Sequence, residues 1–527
     1  MKMNKIKNLF ALAAFIIVAA ASCKKDDFNV NQNINNPTDS SVSYDVVLPA
    51  ALDGTARIIA DNWGWLQNWM GYWARSGTYA PNVAEETYDL NTNTGFGSGL
   101  WNEVYGNLYN YEVILTKAKQ ADAKFYEGIS RIMKAHNYAI LVDNFNNVPY
   151  SQALKGSSNF TPKYDNGIDI YKDLLVQIDS GKAQISRATA SQSKGIETFD
   201  IMFLGNKTKW SQFANTLKLR LLVHLMNGSQ TTTLVPGIDV NTALTNLFAD
   251  PDGFLTTDAS VNPGYRVDKP NPFWSAYFQD GTSTTVANNQ YYRANSYAIG
   301  YYTFNGDPRR NNFYTIAAGN VYKGVAYGLP SVTENAYAQL SGIGTGLLKS
   351  SSMPQWIITA TESLFLQAEV QERLSPGSAS QLLTDAITEN FKFLGFPDPS
   401  TSATTYITGN ASYPDVDYNA GPLAAGLPGG GLYTILQQKW FALNGIATLE
   451  VWTDFRRTDI VYGQAAQFVA PAPYTTDGPP ISVSPANTAT KVPTRLFFPQ
   501  TEYNYNAANV LGQGNITRYG KVFWDLL

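Results

Sequence analysis

Apolar residues recur at helical spacing in five separate segments of this 527-residue chain, and that succession constrains the fold more than any other feature. In the first segment, Val104, Leu108, Tyr111, Leu115 and Ala118 lie alternately four and three residues apart, which places them on one face of a helix. The same spacing is found in 129–140, 170–178, 213–225 and 433–443. Short helices that each carry one apolar face pack as antiparallel pairs. We therefore predict a mainly α-helical fold.

The stretches between the helical segments differ in composition. Residues 227–350 are rich in Gly, Asn, Thr and Tyr, and 397–431 and 462–494 are rich in Pro, Gly, Ser and Thr. Loops of this length inside a compact protein are usually functional or disordered. We predict a scaffold of tetratricopeptide-like antiparallel helix pairs, although no clean period of about 34 residues is present. A loop-rich face and a few short strands complete the expected architecture.

The N-terminus has the pattern of a lipoprotein signal that ends at Cys23, the single cysteine of the chain. A start with three lysines precedes an apolar run over 9–22, and small residues stand directly before Cys23. The run is shorter than the roughly 20 residues that a bilayer requires, and it fits a secretory signal. A buried free cysteine is the alternative, but core packing gives no reason for this position. We expect acyl chains on Cys23 to anchor the protein to a membrane.

These patterns divide the chain into three parts. Residues 1–22 are the predicted signal, and 23–43, which are polar and rich in Asn and Ser, are a lipidated flexible tether. Residues 44–527 are predicted to form a single domain. Its helical scaffold and its loop-rich insertion are assigned, respectively, to about 44–226 with 351–461 and to about 227–350.

Composition and charge argue against several classes of function. Removal of residues 1–22 deletes three lysines, which takes the formal charge from −4 to −7. Because no basic stripe is visible, we predict no nucleic-acid partner. Two histidines and one cysteine argue against a zinc or iron site, and the acidic turn at 250–253 offers too few oxygen ligands for calcium. We predict no metal and no cofactor.

Eight short motifs follow one another from one end of the chain to the other. They are RIMKAHNYAILVDNFNNVPYSQAL (131–154), PKYDNGIDIYKDLLVQID (162–179), KWSQFANTLKLRLLVHL (209–225), DPRR (307–310), TATESLFLQAEVQER (359–373), QQKWFALNG (437–445), EVWTDFRRT (450–458) and RLFFPQTEYNYNAANV (495–510). In this order, and together with the lipoprotein signal, they resemble the SusD/RagB family of nutrient-uptake lipoproteins in its SusD-like subgroup. The motifs define the scaffold and not the ligand.

The resemblance implies a function and a location. Proteins of this kind act as lids over a SusC-like TonB-dependent outer-membrane transporter and deliver a captured nutrient, often an oligosaccharide, to it. The expected location is the outer membrane, lipid-anchored through Cys23 and facing the cell surface. One departure concerns Asn146 and Asn147, where the family usually has Gly-Asp before Val-Pro-Tyr. Since Asn tolerates a left-handed backbone, we expect this turn to be kept.

The first candidate ligand-binding cluster lies in 58–79. If these residues form one helix, Trp65, Trp69 and Tyr72 share a face roughly 120° from an apolar face that includes Trp63. Aromatic faces can stack on the apolar faces of sugar rings. Packing of both faces in the core is the alternative, because aromatic stripes at helical spacing are usually core.

The second candidate cluster lies in the loop-rich region, within 270–280 and 288–295. Aromatic side chains there give a stacking platform, and amides with one arginine give fixed hydrogen-bond donors for hydroxyl groups. A purely structural role for these loops is the alternative. The candidate residues are Trp274, Tyr277, Asn289, Tyr291, Tyr292 and Arg293.

Residues that suggest catalysis have a structural interpretation. Glu362 and Glu369 are seven apart on one predicted helix, which separates them by about 10.5 Å, and glycosidase carboxylates flank a cleft from separate elements. The family match makes Asp454, Arg456 and Arg457 scaffold residues in a buried or half-buried ion pair. We therefore predict a binding protein with no catalytic residues. A surface glycoside hydrolase and a stand-alone glycan- or peptide-binding lipoprotein are the alternatives.

Overall fold

A computed structural model describes residues 42–61, 63–91, 95–226, 235–421, 430–458 and 479–525. The signal, Cys23 and most of the predicted tether lie outside these residues. The chain from Tyr44 to Leu527 forms a compact unit of its own. Among the described helices, none combines the length and the apolar character that a membrane span requires.

Helices dominate the described residues, as predicted. The first eight are α1 (Tyr44–Asp61), α2 (Gly64–Trp69), α3 (Val83–Glu86), α4 (Ser98–Gln120), α5 (Lys124–Phe145), α6 (Gly167–Arg187), α7 (Ile196–Phe199) and α8 (Lys207–His224). Those of the loop-rich region are α9 (Val240–Phe248), α10 (Pro272–Tyr277), α11 (Ala287–Tyr291), α12 (Ser296–Phe304) and α13 (Arg310–Phe313). The others are α14 (Ala360–Leu374), α15 (Ser380–Phe393), α16 (Pro399–Gly409), α17 (Gly431–Ala442), α18 (Thr448–Arg457), α19 (Gln500–Tyr505) and α20 (Ala507–Leu511).

The long helices pack as antiparallel neighbours. Three residues join α4 to α5, so the chain reverses between them, and α6 packs on α5 while α8 packs on α6. A second set consists of α14, α15, α16 and α17. Polar side chains start several of these helices: Asn206 accepts a hydrogen bond from Lys209 N at 3.0 Å, and Thr359 accepts one from Glu362 N at 3.2 Å. The predicted scaffold of paired helices is confirmed.

In the part of the chain that the structure describes, six short strands pair in three antiparallel ladders of two. They are β1 (Trp73–Arg75) with β5 (Tyr292–Ala294), β2 (Val148–Pro149) with β3 (Tyr164–Asp165), and β4 (Ala259–Val261) with β6 (Gln355–Ile358). In the first ladder Ala74 is opposite Arg293. This ladder joins the N-terminal helices to the loop-rich region, and it therefore decides which loop residues meet there.

The segment 58–79 is not the single helix considered above. Helix α1 ends at Asp61, α2 covers only Gly64–Trp69, and the chain then enters β1 at Trp73. Gly71 takes a φ of +80° between α2 and β1, a backbone conformation that favours glycine. The aromatic residues of this segment are consequently divided between α2, β1 and the turns beside them, and they do not form two continuous faces.

The Asn146-Asn147 turn is kept, as expected. Asn146 ends α5 with a φ of +67°, and its side-chain oxygen accepts a hydrogen bond from Phe523 N at 2.8 Å. The side-chain oxygen of Asn147 accepts one from Gly167 N at 3.0 Å. The two amides thus connect α5 to the start of α6 and to the C-terminal segment.

Buried ion pairs connect α8, α14, α17 and α18, and we call this set the ion network. Arg457 contacts Glu369 at 2.6 Å and also pairs with Asp454, so the predicted buried pair of Asp454 and Arg457 is confirmed. Arg456 instead donates to backbone carbonyl oxygens, at 2.6 Å to that of Asp143. The members of the ion network are Arg220, His224, Glu362, Glu369, Lys439, Glu450, Asp454 and Arg457.

Candidate functional site

The first predicted cluster lies mostly in the core. Trp69 and Tyr72 have no exposed surface. The Trp69 ring is 4.5 Å from that of Trp65 and 6.2 Å from that of Trp452, and the Tyr72 ring stacks on Trp440 at 4.9 Å. Because their rings offer no surface to a ligand in this structure, we correct the expectation for Trp69 and Tyr72 and assign them to the core. Trp65 keeps partial exposure.

Two tyrosines of the second predicted cluster also point inward. Tyr277 is buried, and its ring is 5.1 Å from Trp73 and 5.7 Å from Tyr292. The Tyr292 hydroxyl lies against Gly64, where a Cβ atom would stand only 2.3 Å from it. Any larger residue at Gly64 would displace this ring. The expectation for Tyr277 is therefore corrected to a core position. Tyr292, the first residue of β5, packs its ring against Tyr277 and Gly64.

The neighbours of Tyr292 contact a different set of side chains. Successive residues of a strand point to opposite faces, and Arg293 accordingly lies over the ring of Tyr337, with its guanidinium carbon 5.3 Å from the ring centroid. Tyr291 meets Tyr79 edge to face at 5.5 Å. We call Tyr79, Gln290, Tyr291, Arg293 and Tyr337 the tyrosine–arginine cluster. It is the candidate functional site.

Backbone hydrogen bonds hold the pieces of this cluster together. Ser76 N donates to the carbonyl of Tyr291 at 2.8 Å, which extends the β1–β5 pairing toward Tyr79. Tyr337 N donates to the side-chain oxygen of Thr78 at 2.9 Å. The Tyr79 hydroxyl is 3.4 Å from the side-chain oxygen of Gln290. Three segments far apart in sequence are thereby brought to one place.

The buried side chain of Arg75 connects the segment that contains Tyr79 to the chain at Leu329. Its Nε contacts Glu86 at 2.5 Å, and neither side chain has more than a trace of exposure. One terminal nitrogen donates to the carbonyl of Tyr79 and the other to that of Leu329, each at 2.7 Å. A buried, charge-assisted set of bonds such as this is among the strongest that side chains make. It fixes the position of Tyr79 in advance of any ligand.

Arg293 is the most unusual group of the cluster. Only 7% of it is exposed, and the described residues supply its side chain with no hydrogen bond and no ion pair. Burial lowers the pKa of its guanidinium to about 10, so it remains protonated at neutral pH. Gly342 makes room for it, because a Cβ atom there would stand 2.1 Å from Nη1.

The remaining predicted residues have mixed outcomes. Asn289 donates from Nδ2 to the carbonyl of Tyr277 at 3.1 Å, so its amide holds α11 against α10. Trp274 is partly buried, and its ring packs edge to face on Phe278 at 4.5 Å. Among the described residues, neither side chain has a hydrogen bond or a ring contact with the tyrosine–arginine cluster.

The residues predicted from the sequence omit three members of the cluster: Gln290, which stands between the predicted Asn289 and Tyr291, and two tyrosines. Tyr79 follows β1 directly and Tyr337 lies in a region of short turns, where it is 36% exposed. Neither stands in a periodic pattern or a motif. The available signal was the type of residue alone, since Tyr combines an apolar face with a polar tip.

Two cavities formed by described residues are lined by none of the predicted site residues. An open groove of about 690 Å³ beside α12 and α16 is lined by Phe304, Tyr413, Asn305 and Asn410, among others. A small cavity of about 40 Å³ borders the ion network and His136. Within the described residues, no group of three or more His, Cys, Asp or Glu side chains is placed to hold a metal ion.

The sequence matches one family along most of its length. A family described as "starch-binding associating with outer membrane", SusD-like, matches residues 37–474. The chain belongs to the SusD-like family. No curated protein matches the sequence.

Solved structures share the fold of this SusD-like protein. A chitin-binding protein superposes with a TM-score of 0.68 at 23% identity, covering 92% of this chain and 99% of that one. A SusD homologue from Bacteroides fragilis gives 0.69 at 18% identity, with the same two coverages. A chitin-binding SusD homologue from Flavobacterium johnsoniae gives 0.67 at 22% identity, covering 90% and 98%. At these identities the comparison establishes the fold, and it confirms the tetratricopeptide-like scaffold.

Proposed function

We propose that this SusD-like protein captures an oligosaccharide at the cell surface and acts as the lid of a SusC-like TonB-dependent transporter. The observation that carries the proposal is the tyrosine–arginine cluster, a prearranged set of aromatic rings and hydrogen-bonding groups on the loop-rich face. The family description, starch-binding and associated with the outer membrane, supports the choice of a glycan. So do the chitin-binding proteins of the same fold.

The chemistry of the cluster suits a sugar. Tyr79, Tyr291 and Tyr337 present rings that can cover the apolar faces of a pyranose, and their hydroxyls can exchange hydrogen bonds with those of the sugar. Gln290 adds an amide, and Arg293 adds a guanidinium. Few polar groups at fixed positions among aromatic rings are typical of small-molecule sites.

Binding without cleavage is the second part of the proposal. Glu362 and Glu369, the carboxylates that the sequence singles out, are buried and paired with Arg220 at 2.6 Å and Arg457 at 2.6 Å. A glycosidase requires two carboxylates on either side of the bond that breaks, with room for a water molecule. Carboxylates held in buried ion pairs are unsuited to that work.

The anchor and the partner are proposed from the sequence. Cys23 after its apolar run supports a lipid anchor, and the family description supports the outer membrane. The SusC-like partner rests on the resemblance of the eight motifs. If the lid role is correct, the loop-rich face with its cluster would close over the transporter while the acyl chains hold the protein at the membrane.

The deciding experiment is an affinity pull-down of the full-length, acylated protein from detergent-solubilised outer membrane, with partners identified by mass spectrometry. We expect a TonB-dependent barrel in a stoichiometric amount. A Cys23→Ala variant is the matched control, because it removes the anchor and leaves residues 44–527 unchanged. Recovery of no barrel from membranes shown to contain one would overturn the lid role. Release of shorter sugars from an oligosaccharide incubated with the protein would overturn binding without cleavage.

A further inference from the structure

Seven arginines are more than nine-tenths buried among the described residues, and six of them have an acceptor. Carboxylates face four, namely Arg75, Arg220, Arg309 and Arg457. Backbone carbonyl oxygens accept hydrogen bonds from the other two, Arg456 and Arg495. Arg293 is the seventh, and the described residues give its side chain neither kind of acceptor. A buried cation is costly unless it is paired, so a missing partner in a binding site points to a ligand.

The residues around Arg293 leave its positive charge to be paired by a negatively charged group of a ligand. Its Nε is enclosed without a hydrogen-bond partner. The ionisable groups that act on it are the phenols of Tyr337 and Tyr79, and no carboxylate. The Arg293 Nη1 packs directly against Gly342, where a Cβ atom would stand 2.1 Å from it, so only glycine at 342 admits the guanidinium in this position. Arg293 keeps 7% of its surface exposed, and its guanidinium lies over the ring of Tyr337, which is 36% exposed.

We propose that Arg293 forms a carboxylate-binding subsite in the tyrosine–arginine cluster, so that the captured glycan contains an acidic sugar such as a uronic acid. This inference rests on the proposed function, because it names the class of glycan that the same site takes. The tyrosines bind the sugar ring, and the guanidinium binds the carboxylate attached to it.

A carboxylate fits this position better than a hydroxyl group does. The planar guanidinium presents paired N–H donors that match the two oxygens of a carboxylate. A sugar hydroxyl can accept a hydrogen bond from Arg293, but it leaves the positive charge uncompensated in a site with little water. A neutral glycan would therefore gain less from the same contacts.

The test measures binding of the full-length protein, in detergent, to an array of three sets of oligosaccharides. One set is neutral (starch, chitin and cellulose fragments), one carries carboxylates (galacturonate, alginate and sialylated oligosaccharides), and one carries sulfate. We expect binding to be concentrated on the second set. Arg293→Met should weaken it by about 10- to 100-fold, the range for hydrogen bonds to charged groups.

Two further variants guard against a folding artefact. Gly342→Ala leaves the guanidinium in the chain but displaces it, and we expect it to weaken binding to the carboxylated set as well. Arg266→Met removes the same charge from an exposed arginine elsewhere, and it should bind as the unmodified protein does. Circular dichroism and the thermal midpoint establish that each variant is folded.

Each failure has a separate meaning. Tight binding of neutral glycans that Arg293→Met leaves unchanged would overturn the acidic-sugar subsite and leave the proposed function standing. Preference for the sulfated set would overturn the assignment to a carboxylate. Binding to no set, together with no barrel in the pull-down, would overturn both proposals.

Discussion

The ion network of the helical scaffold and the tyrosine–arginine cluster both bury cations, but they surround them with opposite chemistry. In the network, Arg457 faces Glu369 and Asp454, and Arg220 faces Glu362 and Glu450. In the cluster, Arg293 lies over the ring of Tyr337 and against Gly342, and its Nε has no hydrogen-bond partner among the described residues. Each of these network arginines is paired with carboxylates of the chain itself.

Two neighbouring acids, Glu85 and Glu86, show the same difference between an unpaired and a paired buried charge. Glu85 is buried, and although its neighbour Glu86 pairs with Arg75, Glu85 itself has hydrogen bonds to Asn68 and Tyr327 but no ion pair among the described residues. Burial raises the pKa of its carboxyl to about 7. Arg293 and Glu85 together show that this end of the protein tolerates unpaired ionisable groups. Burial by itself therefore does not distinguish a structural ion from an available one, whereas the acceptor set does.

Breaking the network should have the largest effect. Arg457→Met leaves Glu369 and Asp454 without their shared cation in the core, and removal of one member of a buried pair costs about 3–5 kcal/mol. We expect this decrease in the free energy of unfolding, measured by urea denaturation. Arg266→Met, at an exposed pair with Asp268, is the control and should change little. A loss below about 1 kcal/mol at Arg457 would contradict the contrast.

The pH dependence of stability tests the unpaired acid. Because the pKa of Glu85 is about 7 in the folded protein and 4.5 is the ordinary value, folding favours the protonated form. Its contribution to stability is full below pH 4.5, declines as the pH rises and is lost above about 7; the total is about 3 kcal/mol. Glu85→Gln should flatten the unfolding free energy over this window. A profile as steep as that of the unmodified protein would show that Glu85 is not the group responsible.

Truncation of the cluster should reduce binding. Tyr291→Ala and Tyr337→Ala each remove one ring from the proposed sugar platform, and we expect about a tenfold loss of affinity, or about 1.4 kcal/mol, for the best oligosaccharide of the array. Titration calorimetry provides the measurement. Tyr505→Ala is the matched control, since Tyr505 is 77% exposed and lies on α19. If all three variants bind the oligosaccharide with equal affinity, the tyrosine–arginine cluster is not the sugar-binding site. The groove beside α12 and α16 is then the next candidate.

The smallest effect is expected at a surface pair. Lys392 and Glu389 are 3.0 Å apart on α15, and the lysine side chain is 60% exposed. Lys392→Ala should lower the unfolding free energy by less than about 1 kcal/mol, because water and salt screen an exposed pair. The same denaturation assay as for Arg457→Met places the two results on one scale. A loss comparable to that at Arg457 would remove the distinction between paired charges inside and outside the core.

The scaffold was predictable from the sequence because helical spacing is a local property. The stripe from Val104 to Ala118 lies within α4, and the segment from Ile129 to Ile140 lies within α5. The motifs added the family, and with it the interpretation of Asp454 and Arg457 as structural. Features that depend only on residues close together in the sequence can therefore be predicted from it.

The site was predictable only in part because it depends on contacts between distant segments. Tyr291 and Arg293 were found through their loop-rich surroundings, but Tyr79 and Tyr337 come from segments more than two hundred residues apart and carry no pattern. Trp69 and Tyr72 show the opposite error. Their residue types suit a sugar platform, but burial is decided by the elements that cover them, here α17 and α18 with Trp440 and Trp452.

The buried hydrogen bonds of Arg75 have a consequence for how quickly a bound sugar can be released. Because they hold Tyr79 and Leu329 from within, the loops are ordered when the protein folds, and a sugar that arrives does not lose binding free energy to ordering them. A rigid site can then discriminate between sugars through a few contacts. Its dissociation can still be rapid, because the loops do not have to rearrange when the sugar leaves. If the protein loads a transporter, as we propose, brief residence of a selected sugar is more useful than tight retention.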